Sequence, residues 1–368
     1  MKIISRNTGK EKILAAVLAL GLVLLNTLPA GAGISHVETI EREIESGDAK
    51  AIIIEGINGN ISVTGEEGRS DIYLKVIKTV YTENEDEAKK TASLMEIEIS
   101  RQGDILKIET LYPKKFKTKR SLFSMVVDKH PKMMMEITLL VPKGFETMAT
   151  TANGSITLVD IGASAKVSVS NGKTNLRNID GDIEVSVTSG EIEAVKISGN
   201  AELKVTSGVI IAKNIGGNVH CDVTSGKMKL LRIGGDLDAK IGYGSIIVDG
   251  VGAIEYRGVN AEADFIDVRG AVDASTASGD ILIRALPEGD NNYKITASSG
   301  EIVLRFLDIM QGGYILKVGT TSGTINVDLP LDLKKVARNS IYGTVRGGKA
   351  KVFLESASGD ITIEEPGE

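Results

Sequence analysis

Residues 183–200 read IEVSVTSGEIEAVKISGN, residues 201–218 read AELKVTSGVIIAKNIGGN, and residues 219–236 read VHCDVTSGKMKLLRIGGD. Set one under another, the three blocks align without a gap. The register extends outward in both directions. Asn153-Gly154, Asn171-Gly172, Ser189-Gly190, Ser207-Gly208, Ser225-Gly226 and Tyr243-Gly244 recur every 18 residues, and Gly181, Gly199, Gly217 and Gly235 fall midway between them. A single turn motif says little, but six in register are a repeat. Each block reads as two halves of nine residues, each closed by a tight turn.

The columns say what the repeat is. Two residues after the first glycine stand Ile156, Thr174, Ile192, Ile210, Met228 and Ile246; two further stand Leu158, Leu176, Ala194, Ala212, Leu230 and Val248. Ile161, Ile179, Ile197, Ile215, Ile233 and Val251 form a third column, and the other half supplies Val185, Leu203, Cys221 and Ala239 beside Val187, Val205, Val223 and Ile241. Apolar residues alternate with polar ones, which is strand patterning. The same offsets are apolar in every block, so identical offsets must stack. The expectation is a mainly β protein, a parallel β-solenoid (β-helix) of about 18-residue coils with apolar ladders inside.

The strict period reaches about residue 260, where Glu262 takes the glycine slot. Beyond it the turns recur at Gly279, Gly300, Gly323, Gly343 and Gly359, at gaps of 21, 23, 20 and 16 residues. This predicts longer coils with inserted loops, such as Pro287–Asn292 and Leu331–Ser340. Residues 33–150 lack the period. Strands are expected around Ile52–Ile54, Ile57–Val63, Ile72–Tyr81, Ile97–Ile108 and Met133–Val141, with an amphipathic helix over Glu83–Met95. That is an N-terminal α+β cap. An open solenoid end leaves apolar residues and strand edges unpartnered, so a cap is physically required. The organisation expected is a signal peptide over 1–32, the cap over 33–150 and the solenoid over 151–368.

The start of the chain reads as an address. Lys2, Arg6, Lys10 and Lys12 precede an apolar run, Ile13–Leu25, and then Ala30-Gly31-Ala32, a small-residue pattern suited to signal peptidase. The run of 13 residues is shorter than the ~20 a spanning helix needs. The protein is therefore expected to be exported, to the periplasm, the cell surface or the medium. Removal of 1–32 leaves 39 basic against 48 acidic residues, a balance of −9, which disfavours nucleic acid as a partner. One cysteine and three histidines leave no disulfide framework and no Cys- or His-rich metal cluster.

Several of these features together resemble the bacterial DUF4097 family, whose members carry the names adhesin or β-strand-repeat protein. The resemblance rests on the secretory start, Ile57-Asn58-Gly59-Asn60-Ile61-Ser62-Val63, the acidic helix, and Val141-Pro142-Lys143-Gly144. It continues through Thr151-Ala152-Asn153-Gly154-Ser155-Ile156 to the repeated Ser-Gly-Asp/Glu-Ile turns, the last being Ser358-Gly359-Asp360-Ile361. It covers roughly residues 45–364. It implies the fold and supplies no catalytic residue.

Candidate chemistry is sparse. Asp264, Asp267, Asp273 and Asp280 lie close in sequence, and paired carboxylates can act as acid and base or hold Ca²⁺. Asp also suits turns, and Asp182, Asp236, Asp280 and Asp360 each follow a turn glycine, which favours the turn role. His220 and Cys221 are adjacent, so they face opposite sides of a strand; Cys221 shares a core column. His36 and His130 are expected in loops. No Gly-x-Ser-x-Gly, His-Glu-x-x-His, Walker or Cys-x-x-Cys motif occurs, and no cofactor is implied. The Ser/Thr column Ser170, Thr188, Thr206 and Thr224 suits either a repetitive ligand or turn hydrogen bonds. One charge anomaly stands out. Lys114, Lys115, Lys117, Lys119 and Arg120 put five basic residues within seven, with Leu122, Phe123 and Met125 following. Such a loop can dock on an anionic ligand at the envelope, though a solvated hairpin loop is the simpler role.

The function expected is a non-enzymatic, adhesin-like or scaffold module of the cell envelope, with envelope glycan, anionic lipid or another envelope protein as partner. The alternatives are a regulatory or stress-associated envelope protein and a β-helix polysaccharide-degrading enzyme. The enzyme would need Asp, Lys or Arg converging across adjacent coils, and residues 154–250 show no such pattern.

Overall fold

The computed structural model describes residues 34–113, 131–286, 291–308 and 313–365. The expected signal segment, His130 and the basic run Lys114–Arg120 lie outside the described residues. The chain forms two compact units, Met1–Asn175 and Leu176–Glu368. Among the described residues nearly all regular structure is strand, with one helix, and no helix is long and apolar enough to cross a membrane.

In the first unit, parallel pairing begins well before the repeat becomes visible in sequence. Ala51–Glu55 lies between Ile105–Leu111 and Glu146–Asn153, and Ile61–Glu66 lies between Lys132–Pro142 and Ile156–Ile161. An early coil is thus interleaved between two later ones. Beyond them the direction switches: Asp71–Thr82 runs antiparallel to both Lys132–Pro142 and Ile34–Glu45, and Glu96–Gln102 runs antiparallel to Ile105–Leu111. The expected helix is Glu85–Ser93. Asn84 caps it by accepting from the backbone N–H of Asp86 and Glu87, with Glu85, Asp86 and Glu87 in the first turn favouring its dipole. It buries Ala88 and Ala92 over the antiparallel strands. Lys78 is buried beneath it, its Nζ 3.4 Å from Glu38 Oε2 and 3.5 Å from the carbonyl of Ala92. His36, expected in a loop, sits instead in the strand Ile34–Glu45, where antiparallel pairing with Asp71–Thr82 sets it opposite Val80.

In the second unit the repeat is one strand per coil. Ile183–Ile197, Ala201–Ile215, Val219–Ile233, Leu237–Val251 and Ile254–Val268 pair in parallel along their lengths. Val185, Leu203, Cys221 and Ala239 stack in register and are all buried, as the column predicts. The Ser-Gly pair departs from expectation. It does not close a tight turn; pairing runs straight through it, Ser189 to Ser207 and Gly190 to Gly208. Glycine is still obligatory. Gly208 has φ 149°, and a Cβ there would fall 1.7 Å from the carbonyl oxygen of Gly190 in the preceding coil. The apparent loss of period at Glu262 is a one-residue deletion in a corner. Two residues, Gly252 and Ala253, join Val251 to Ile254 where three join Ile233 to Leu237, so Ala261 takes the glycine slot opposite Gly244.

The last coils depart further. Tyr293–Ser299 and Ile302–Phe306 pair with Ala350–Ser358 and Ile361–Glu364, which pair in turn with Tyr314–Ser322 and Ile325–Asp328. The C-terminal coil is inserted beneath an earlier one. Leu331–Ala337, expected in an inserted loop, is a strand, and it forms a hairpin with Ser340–Val345. Gly343, counted as a turn glycine, lies inside that hairpin. The hairpin runs antiparallel to Tyr314–Ser322, ending the parallel stack with charged Asp332, Lys334 and Lys335 on the last strand.

Candidate binding groove

One corner of the coil escaped the sequence pattern. Asp160, Asn178, Lys196, Asn214 and Arg232 all have φ between 56° and 58°, and Gly250 and Asp267 follow at 77° and 53°. The spacing is 18 residues down to Gly250 and 17 at the deletion. Each lies just before the buried column Ile161, Ile179, Ile197, Ile215, Ile233, Val251 and Val268. In the paired coils Lys196, Asn214 and Arg232 drop out of the ladder while Ile197 pairs with Ile215 and Ile215 with Ile233. Both strands skip the same residue and keep register, so the corner bends every coil alike and leaves Lys196 and Arg232 exposed.

A left-handed conformation costs an L-residue about 1–2 kcal/mol, less for Asn and Asp, and nothing for glycine. Gly250 shows that glycine suits this corner. Lys196 and Arg232 therefore stand there against backbone preference. A signal was present in the sequence: polar Asn, Lys, Asn and Arg precede the isoleucine column in strict register, and glycine substitutes for them once.

A groove of about 790 Å³ runs over this corner within the second unit. Asn178, Lys196, Asn214 and Arg232 line one side, and Ser198, Gly216 and Gly234 leave the other low. Lys196 and Arg232 are exposed. Arg232 Nε donates to Asn214 Oδ1 at 2.6 Å, which fixes the guanidinium over the groove. At the far end Arg269 is held by Asp267 at 2.7 Å. The groove crosses six coils, and its side chains repeat with the coil.

The aspartates singled out in sequence do not converge. Asp264 pairs with Arg284 at 2.8 Å, Asp267 with Arg269, and Asp273 with Arg257 at 3.1 Å. Asp280 Oδ1 accepts the N–H of Glu301 at 2.8 Å. Asp182, Asp236 and Asp360 likewise accept backbone N–H groups of the adjoining coil, from Asn200, Ala253 and Thr324. The Thr324 hydrogen bond holds the Asp360 carboxyl below the usual range. These are corner caps between coils. Among the described residues no group of three or more His, Cys, Asp and Glu side chains is placed to hold a metal ion.

His220 faces outward, as adjacency to buried Cys221 requires, and its Nδ1 lies 2.9 Å from Asp238 Oδ2 one coil away. It stands in an outward column with Glu184, Glu202, Asp238, Glu255 and Asp273. Lys204 bonds Glu202, and Arg257 bonds Glu255 and Asp273, so this face neutralises much of its own charge. Cys221 is fully buried, and burial pushes its thiol far above the ordinary range, so it is not a nucleophile. Thr188, Thr206 and Thr224 are exposed with Ser189, Ser207 and Ser225 beside them.

Residues 210–364 match the family model described as Toastrack DUF4097. The match covers the lower part of the groove, from Asn214 onward, and the interleaved C-terminal coils. No protein of curated function matches the sequence. Among solved structures, a provisionally named cell adhesion protein from Clostridium sporogenes is 14% identical, covering 90% of this chain and 100% of its own, at a TM-score of 0.22. A provisionally named lipid binding protein from Parabacteroides distasonis is 16% identical, covering 89% and 97%, at 0.33. A provisionally named adhesin from Bacteroides fragilis is 14% identical, covering 89% and 97%, at 0.23.

Proposed function

We propose that this protein is a non-enzymatic binding or scaffold module of the bacterial cell envelope that holds an extended partner along the corner groove. The carrying observation is that Asn178, Lys196, Asn214 and Arg232 recur coil after coil along one open groove in which Lys196 has no ion-pair partner among the described residues, whereas the outward column from Glu184 to Asp273 is bonded by Lys204, Arg257 and the His220–Asp238 pair. Catalysis needs different groups converging on one reacting centre; a repeating wall suits a repeating ligand. The basic, apolar and small-residue order of residues 1–32 supports export. The basic run Lys114–Arg120 is a second proposed contact, carried by its charge alone.

The test is binding of residues 33–368 to an array of envelope glycans and anionic lipid vesicles. One parallel variant carries Ser at 114, 115, 117, 119 and 120, and another carries Ser198→Trp to fill the groove. Binding lost with Ser198→Trp supports the groove. Salt-sensitive binding lost only in the first variant moves the site to the basic run. Absence of binding by the unmodified protein overturns both sites.

A further inference from the structure

The groove wall is not uniform. Along it the residues alternate Asn178, Lys196, Asn214, Arg232, that is amide, cation, amide, cation. Coils stack about 4.8 Å apart, so the two cations recur after about 9.6 Å. Lys196 has no ion-pair partner among the described residues, and Arg232, which lines the groove, donates its Nε to Asn214 Oδ1. The opposite side, Ser198, Gly216 and Gly234, carries no long side chain to obstruct a chain lying lengthwise.

We propose, on the basis of the binding function above, that the groove takes a linear anionic glycan bearing one acidic group for every two sugars. In an extended β-linked chain two sugar residues span about two coils, which places successive carboxylates opposite Lys196 and Arg232. The intervening sugar meets Asn178 and Asn214, whose amides suit hydroxyl and acetamido groups. The backbone supports the same conclusion. Glycine satisfies this corner at Gly250, so the backbone turn itself does not call for the cations at Lys196 and Arg232. A densely charged polymer such as nucleic acid fits worse, because Asp180, Asp249 and Asp267 lie at the ends of the groove and the protein is acidic overall.

The experiment measures binding of hyaluronan oligosaccharides, which carry one carboxylate per disaccharide, against chitin oligosaccharides and single-stranded DNA of equal length. The unmodified protein is compared with Lys196→Gly/Arg232→Gly and with Lys227→Ser/Lys229→Ser, which removes the same charge from two columns of one coil outside the groove. Glycine fits the corner, so the first variant is expected to fold, with a melting temperature equal or higher. The expected result is preference for hyaluronan and a loss of about ten-fold or more in the glycine variant, two charge-assisted contacts being removed, with little change in the control. Hyaluronan bound no more tightly than chitin, both being lost with Ser198→Trp, would overturn the anionic assignment while leaving the groove as the site. DNA bound as tightly as hyaluronan, or equal losses in the two charge variants, would also overturn it. Absence of binding by all three polymers together with a negative glycan array would remove the groove function itself.

Discussion

The coils at 183–268 and those at 272–364 solve one packing problem in two ways. In the first group each coil is a single 15-residue strand and its neighbours in space are its neighbours in sequence. From Ile183 to Val251 its buried apolar side chains are Val, Ile, Leu, Ala, Met and Cys221. In the second group each coil is split into two shorter strands, the last coil is threaded beneath an earlier one, and rings fill the interior. Phe306 lies 5.6 Å from Tyr293, edge to face, and 5.4 Å from Tyr314, stacked. Like-on-like ladders hold a coil stack only while lengths match. Where lengths vary, larger side chains and non-local pairing take over.

The difference can be broken from the C-terminal side first. Ala350–Glu364 is paired on both sides, so ending the chain at Lys349 strips the partner from Tyr293–Phe306 and from Tyr314–Asp328 together. Residues 291–345 are expected to lose amide protection in hydrogen exchange, while Ile183–Val251 keeps it. Unchanged protection in 291–345 would contradict the inserted order. Phe306→Ala comes next, at about 3–5 kcal/mol from the lost ring and the cavity left, measurable by urea denaturation. In the regular coils the strongest effect of a single added methyl is at the stacked glycines. Gly208→Ala sets a Cβ against the Gly190 carbonyl at positive φ and is expected to cost about 2–4 kcal/mol.

Lys196→Gly sharpens the contrast between two positions of adjacent regular coils. Both Lys196 and Gly208 lie at positive φ, yet one position excludes a side chain and the other only tolerates it. Thermal unfolding should show Lys196→Gly unchanged or stabilised, by up to about 1 kcal/mol once the greater freedom of glycine in the unfolded chain is set against relief of the corner. A clear destabilisation would mean that the lysine supports the fold. The smallest effect is that of pH. The Asp360 carboxyl is depressed in the folded state, so its contribution is fully present above the unfolded carboxylate range near pH 4 and is lost as pH falls through the folded value. Asp360→Asn should flatten the acid limb of the stability curve slightly, since the amide oxygen still accepts the Thr324 N–H.

What could be read from the residues follows the same division. The 18-residue columns identified the parallel coil, the buried ladder and the place of Cys221, because each rests on local alternation repeated in register. The helix after Asn84 was legible from its acidic first turn and the spacing of Ala88, Ala92 and Met95. The inserted C-terminal coil was not legible, because periodicity reports which offsets face inward and says nothing of which coil lies beside which. The hairpin Leu331–Val345 was missed for a related reason: its first strand is exposed on both faces and lacks the alternation that marks a buried strand. The groove corner was visible only as polar residues beside an isoleucine column. Its meaning depends on φ, which Asn and the single Gly250 hint at and which Lys196 and Arg232 conceal.

The inserted order can be tested by cysteine pairs. Ser358 lies between Ser299 and Ser322, one strand spacing of about 4.8 Å from each, whereas Ser299 and Ser322 are two spacings apart. Native Cys221 is buried and does not compete. Under mild oxidation, Ser299→Cys with Ser358→Cys should form a disulfide, and Ser299→Cys with Ser322→Cys should not, since that separation exceeds the ~7 Å a disulfide spans. A bridge in the second pair and none in the first would mean that the coils stack in sequence order, which contradicts this account.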